Sequence, residues 1–171
     1  MKWMLIVGSV LVVIILVTLI VGWSLPVKHT ASRRATFATP PDAVWKVLTD
    51  VDAYPQWRSD LKKVERLPDR DGRTAWTEEG TNGRITFVVE RSEAPRVLVT
   101  RIADPNLPFG GSWTYEIAPS AGGSTLTITE NGEVYNPIFR VMSRFVFGHE
   151  ATMTAYLGHL EARLRTHAAR D

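Results

Sequence analysis

The 171-residue chain carries 20 lysines and arginines against 18 acids and has no cysteine, so it holds neither a disulfide nor a thiolate metal site. Setting aside Lys2 and Lys28 leaves 18 bases and 18 acids from residue 30 onward, interspersed along the chain. That is not the concentrated basic surface of a nucleic-acid binder, and no nucleic-acid partner is expected.

Residues 3–25 contain no charge and are mostly Val, Ile and Leu. About 20 apolar helical residues cross a bilayer core of about 30 Å, and Trp3 and Trp23 stand near the two ends, where interfacial aromatics lie. A cleaved signal peptide would have an apolar stretch of about 7–15 residues and a small-x-small site. This run is longer, and Gly22-Trp23-Ser24 is a poor cleavage sequence. The pattern predicts a retained single-pass anchor over residues 1–25. Lys28, Arg33 and Arg34 outweigh Lys2 and the amino terminus by one charge, which leans toward a cytoplasmic C-terminal domain. Residues 26–34 read as a short polar tether, and residues 35–167 as one globular domain.

Strand character begins around residues 29–38 and stops at Thr39-Pro40-Pro41-Asp42, where Pro41 and Asp42 suit a helix start. Val44, Trp45, Val47, Leu48 and Val51 recur at helical spacing, and Pro55 breaks the run into a kinked pair. Short β runs follow at residues 61–67, 73–79, 85–89, 97–102, 112–117 and 125–129. Asp71-Gly72, Asn82-Gly83 and Gly122-Gly123 separate several of them, so the strands should pair as antiparallel hairpins. From 137 to 166 there is no further proline. Phe139, Met142, Val146, His149, Met153, Tyr156, Leu157, Leu160 and Leu164 form one apolar stripe, which predicts a single helix of about eight turns. The expected architecture is α+β: a curved seven-stranded antiparallel sheet wrapped around a long C-terminal helix. A short kinked helix pair follows strand 1, and the N-terminal transmembrane helix stands apart. Trp45, Trp113, Tyr115, Leu126, Ile128, Met142, Val146, Met153, Tyr156 and Leu157 should converge inside it.

The stretch Pro41-Asp42-Ala43-Val44-Trp45-Lys46-Val47-Leu48-Thr49-Asp50, then Tyr54-Pro55-Gln56-Trp57, then Gly110-Gly111-Ser112-Trp113-Thr114-Tyr115-Glu116-Ile117, resembles the START-like superfamily of helix-grip proteins. That superfamily is also labelled SRPBCC or polyketide cyclase/dehydrase, and plant pathogenesis-related allergens and coenzyme-Q-binding proteins share its fold. The resemblance covers about residues 30–166 and implies a cavity for an apolar ligand. It does not choose among the lipid carriers, cyclases and hydrolase-like members of the superfamily.

No GxSxG, HExxH, GxxxxGK[ST] or GxGxxG motif is present. Of the four histidines, His29 lies in the tether, His167 at the end, and His149 and His159 are ten apart on one helix. No metal site, cofactor or catalytic residue is assigned. His149, on the apolar stripe, is placed to meet Glu130, which is in phase with Leu126 and Ile128. Such a pair could do acid–base work, contact a ligand, or be a hydrogen-bonded part of the core. The expected cavity lining is Trp57, Trp113, Tyr115, Ile128, Glu130, Val146, His149 and Met153. Leu107 and Phe109, in the Pro/Gly loop 104–111, are expected to be an exposed rim or gate. Arg91 and Arg101 should pair with Glu90 or Glu116 on a solvated face. The function expected is membrane-anchored binding of a lipid or other hydrophobic small molecule. A cyclase- or hydrolase-like enzyme using His149 and Glu130, or an assembly module with a filled core, are the alternatives.

Overall fold

The computed structural model describes residues 2–148 and 150–168, without the side chains of Val146, Phe147, His167 and Ala168. Helix α1 (Lys2–Ser24) comes first. After Lys2 it carries no charge and is apolar on every face, and apart from its last turns its side chains are exposed, so a water-facing surface does not explain it.

Seven strands form one antiparallel sheet: β1 (Lys28–Phe37), β2 (Leu61–Arg70), β3 (Arg73–Gly80), β4 (Gly83–Glu93), β5 (Val97–Ile102), β6 (Phe109–Ser120) and β7 (Gly123–Val134). Their order is β1-β7-β6-β5-β4-β3-β2, so successive hairpins run from β2 to β7 and β1 closes on the last of them. β1 starts at Lys28, so most of the residues expected as tether belong to the sheet and only Leu25, Pro26 and Val27 separate α1 from it. The turns match their sequences. Asp71-Gly72 and Gly122 take the positive φ that glycine and aspartate tolerate.

Helix α2 (Pro41–Thr49) opens with proline at its first position and Asp42 in its first turn. A 3₁₀ turn (Val51–Gln56) follows, with Pro55 inside it. The Tyr54 hydroxyl donates to Leu48 O at 2.7 Å and locks that turn back against α2. The C-terminal segment departs from the single helix expected. It is α3 (Pro137–Met142), a π turn (Ser143–Phe147) and, after Gly148, α4 (Ala151–Ala168). Gly148 has φ +70, a left-handed conformation that ends the i→i−4 ladder. An apolar stripe read at a constant 3.6-residue period continues across such a break unnoticed.

The main core joins α2 (Val44, Leu48), β6 and β7 (Ile117, Leu126, Ile128) and α4 (Met153, Leu157, Leu160, Leu164). A smaller cluster of Val51, Tyr54 and Trp76 lies under the 3₁₀ turn. Of the residues expected inside, Tyr115, Leu126, Ile128, Met153, Tyr156 and Leu157 are buried, while Trp45 and Trp113 are half-buried against them. Met142 is half-buried on α3.

Candidate functional site

Between the concave face of the sheet and the C-terminal helices lies a cavity of about 310 Å³. Its walls are largely apolar: Trp76, Ile85, Phe87, Ile102, Phe109 and Trp113. The lining residues that reach solvent are Phe139, Gly148 and Thr152 on one side and Thr81, Asn82 and Gly83 of the β3–β4 hairpin on the other. The cavity therefore opens between the C-terminal helices and that hairpin.

A cluster of charged groups, centred on Arg58, is set into this largely apolar wall. The 3₁₀ turn ends with the Arg58 backbone N–H donating to Tyr54 O at 2.8 Å, which aims the Arg58 side chain inward. Its guanidinium donates to Glu78 at 2.9 Å and to Asp60 at 2.7 and 3.4 Å. It also lies 5.4 Å from the Tyr54 ring centre and 5.3 Å from that of Tyr156, within cation–π range. The second oxygen of Glu78 accepts from the Trp76 indole at 3.0 Å. Trp76 and Glu78, two apart on β3, share the inward face of a strand. Burial opposes the charge on Arg58, but Glu78 and Asp60 outweigh it and raise its pKa. Burial likewise pushes Asp60 up, and the Arg58 guanidinium overrides this and holds the carboxyl below its usual range. Each of these two shifts favours the charged form of its group. Three of the five guanidinium N–H donors are engaged by these carboxylates, and two remain for an oxygen atom of a ligand.

Aromatic rings surround the guanidinium. Tyr156 of α4 meets Trp57, Trp113 and Tyr115 edge-on or tilted, with ring centres 5.6, 5.7 and 5.9 Å away. Burial pushes the hydroxyls of Tyr54, Tyr115 and Tyr156 up, so all three remain protonated. The Tyr54 hydroxyl is already committed to Leu48 O, which leaves Tyr115 and Tyr156 to offer O–H groups without adding charge.

Toward α3, His29 Nε2 lies 3.4 Å from Glu130 Oε1, and both side chains line the cavity. Burial lowers the His29 pKa, which favours the neutral imidazole. Gly132 makes room for it: a Cβ there would lie 2.3 Å from the ring.

A family model described as "Polyketide cyclase / dehydrase and lipid transport" matches residues 28–165. The chain belongs to that family. The solved structures it resembles agree on the fold. A START superfamily protein from Mycobacterium smegmatis aligns with TM-score 0.65 at 19% identity, over 81% of this chain and 98% of that one. The Zhui aromatase/cyclase from Streptomyces sp. R1128 aligns with TM-score 0.64 at 17% identity, over 81% and 94%. The di-domain aromatase/cyclase StfQ from the steffimycin biosynthetic pathway gives TM-score 0.67 at 14% identity. The alignment takes in 84% of this chain and 52% of StfQ, about half its length. No curated protein sequence matches the chain.

Within this family fold the expected site residues separate. Trp113, Tyr115, Glu130 and Phe109 line the cavity. Ile128 and Met153 are fully buried in the core cluster. Trp57 is half-buried, and lines a second groove between α2 and α4. Leu107 and Phe109 are half-buried rather than exposed; the tip of their loop is Pro105-Asn106. His149 and the Val146 side chain lie outside the described residues, and the histidine found beside Glu130 is His29. Arg101 pairs with Glu90, as expected, and Arg91 with Glu93.

A chain of Ser59, His159 and Asp60 has the order of a nucleophilic triad, with Ser59 Oγ 3.1 Å from His159 Nε2 and Asp60 3.6 Å from Nδ1. Ser59 is exposed and does not line the cavity, and Arg58 already engages both oxygens of Asp60. It reads as a surface hydrogen-bond chain.

Arg58, Asp60 and Glu78 were not singled out from sequence. Two signals were there: Trp76 and Glu78 in phase on one strand, and a cation directly after the aromatic bend.

Proposed function

We propose that this protein is a membrane-tethered binding protein for an amphiphilic small molecule, with α1 as the tether. The ligand's apolar body would pack on Trp76, Ile85, Phe87, Ile102 and Phe109, and an oxygen-bearing end would meet Arg58 and the hydroxyls of Tyr115 and Tyr156. The observation that carries this reading is a shielded, carboxylate-paired guanidinium in a cavity of about 310 Å³ whose walls are largely apolar. Small-molecule sites of roughly 300–1,000 Å³ have this composition, apolar walls with a few placed polar groups. Each methylene buried there would contribute about 0.8 kcal/mol. For α1, 23 helical residues at about 1.5 Å each reach about 35 Å, enough to cross a bilayer core.

Native mass spectrometry of the full chain extracted in mild detergent should show a co-purifying small amphiphile. Ile102→Trp, which fills the wall, should reduce that adduct sharply. A ligand-free spectrum that persists after incubation with total lipid extract would refute the reading.

The His29–Glu130 pair supports a second reading, a cyclase-like reaction on the bound ligand, with His29 and Glu130 exchanging a proton with it. Catalysis would appear as a time-dependent change in the chromatographic retention of the ligand extracted from the protein, which His29→Gln stops while binding persists. Unchanged conversion by His29→Gln would remove this reading and leave the first intact.

A further inference from the structure

Outside α1, the exposed large hydrophobic residues of the described chain are Val27, Tyr135, Ile138, Phe139 and Phe145. All five lie immediately after α1 or on α3, its flank and the π turn. Exposed apolar residues are usually scattered singly over a domain, and their collection on one short stretch marks a contact surface.

That stretch is fastened to the end of α1. Arg140 of α3 donates to Gly22 O and Leu25 O at 3.0 and 3.3 Å. It also donates to Val134 O and Tyr135 O, at 2.8 Å each. The last carbonyls of a helix have no intrahelical partner and carry the negative end of its dipole, so a guanidinium suits them on both counts. Gly22 lies directly against Pro137, where an added Cβ would be 2.2 Å from the Pro137 carbonyl oxygen. α3 is therefore held level with the end of the apolar helix, beside Trp23.

We infer that α3 and the π turn are a second membrane contact, seated in the lipid interface beside the point where α1 leaves the bilayer. This rests on the reading of α1 as a membrane anchor. The occupant is a lipid surface because the patch continues the surface of α1 itself. An element docked on the last turn of a spanning helix stands at headgroup depth, where apolar side chains bury about 5–10 Å into the boundary. Arg144, exposed next to Phe145 in the π turn, is positioned for lipid phosphate. Phe139 and Ser143 also line the cavity, so this contact sets its mouth at the lipid interface. An amphiphile could then pass between bilayer and cavity without crossing bulk water.

The chain has no cysteine, so single cysteines can carry an environment-sensitive nitrobenzoxadiazole label at chosen sites. The full chain is reconstituted into vesicles of phosphatidylcholine and phosphatidylglycerol with labels at Val13→Cys, Phe145→Cys or Ala118→Cys. Ala118 is exposed and nine residues along β6 from Phe109, about 30 Å away. Labels at 13 and 145 should lose emission to spin-labelled phospholipid and resist aqueous iodide, and the label at 118 should do the reverse. A label at 145 that behaves like that at 118, while 13 stays protected, would overturn this inference and leave the anchor standing. Iodide access at 13 would overturn both. Phe145 is 66% exposed, so its replacement leaves folding intact.

Discussion

Glu78→Ala should destabilise the domain by about 3–5 kcal/mol, because it leaves Arg58 as a buried cation stripped of its better-shielded partner. At a few degrees of Tm per kcal/mol for a domain of this size, the thermal midpoint should fall by roughly 10 °C or more. The Glu78 side chain is only 9% exposed and that of Arg58 12% exposed, so water cannot replace the lost carboxylate. The Trp76 indole N–H loses its acceptor in the same change. The double variant Glu78→Leu with Arg58→Leu removes both charges together and should recover much of the loss, as buried ion pairs replaced by apolar residues commonly do. Asp60 then loses Arg58 as well, but it is about a third exposed and can turn to solvent. A double-mutant cycle on thermal unfolding measures the coupling. A cost below about 1 kcal/mol for Glu78→Ala would mean that the pair behaves like a surface one, and the site as described would be wrong. If the double variant is stable but no longer retains the amphiphile, the cluster serves binding rather than folding.

Leu160→Ala and Ile128→Ala should each cost about 2–5 kcal/mol, whereas Ile102→Ala should cost clearly less. Leu160 and Ile128 are fully enclosed by other side chains, so truncation opens a new void. Ile102 already faces empty space, and enlarging a cavity forfeits fewer contacts than creating one. Denaturant titration of the full chain in detergent gives the comparison. Equal costs at all three positions would indicate that the space beside Ile102 is filled in the folded protein.

The strands were legible because one face of each meets the core and alternation survives in their sequences. β1 was the least legible. Lys28, His29, Arg33 and Arg34 give it the composition of a linker, since as an edge strand it needs only Ala31, Ala35 and Phe37 against the core. Strand character was nevertheless read from about residue 29, and what stayed hidden was which histidine the pairing brings to Glu130. Ala31 stands opposite Glu130 and His29 opposite Gly132, so His29 is the diagonal neighbour of Glu130 on the same face. Cross-strand register of this kind depends on pairing between distant segments, which local periodicity does not report. The Arg58 cluster was hidden for a similar reason. Its members come from the residues just after the 3₁₀ turn and from β3, and each alone looks like a solvated charge. The break at Gly148 depends on backbone φ, and a glycine in an apolar repeat does not announce it.

The pairing of β1 with β7 has a consequence for how the chain is made. Thr30 meets Asn131 from 101 residues away. During synthesis at about 5–20 residues per second, β1 therefore waits on the order of 5–20 s for its partner. By then α1 has long since emerged and, on the proposal that it is an anchor, would already be committed to lipid. The hairpins β2 to β7 can form in turn as they appear, each from neighbouring sequence. β1, meanwhile, is an unpaired strand, which that proposal would hold beside a membrane. Its high content of basic residues, two of them side by side at Arg33 and Arg34, is the kind of composition that keeps such an edge from joining a neighbouring chain before β7 arrives.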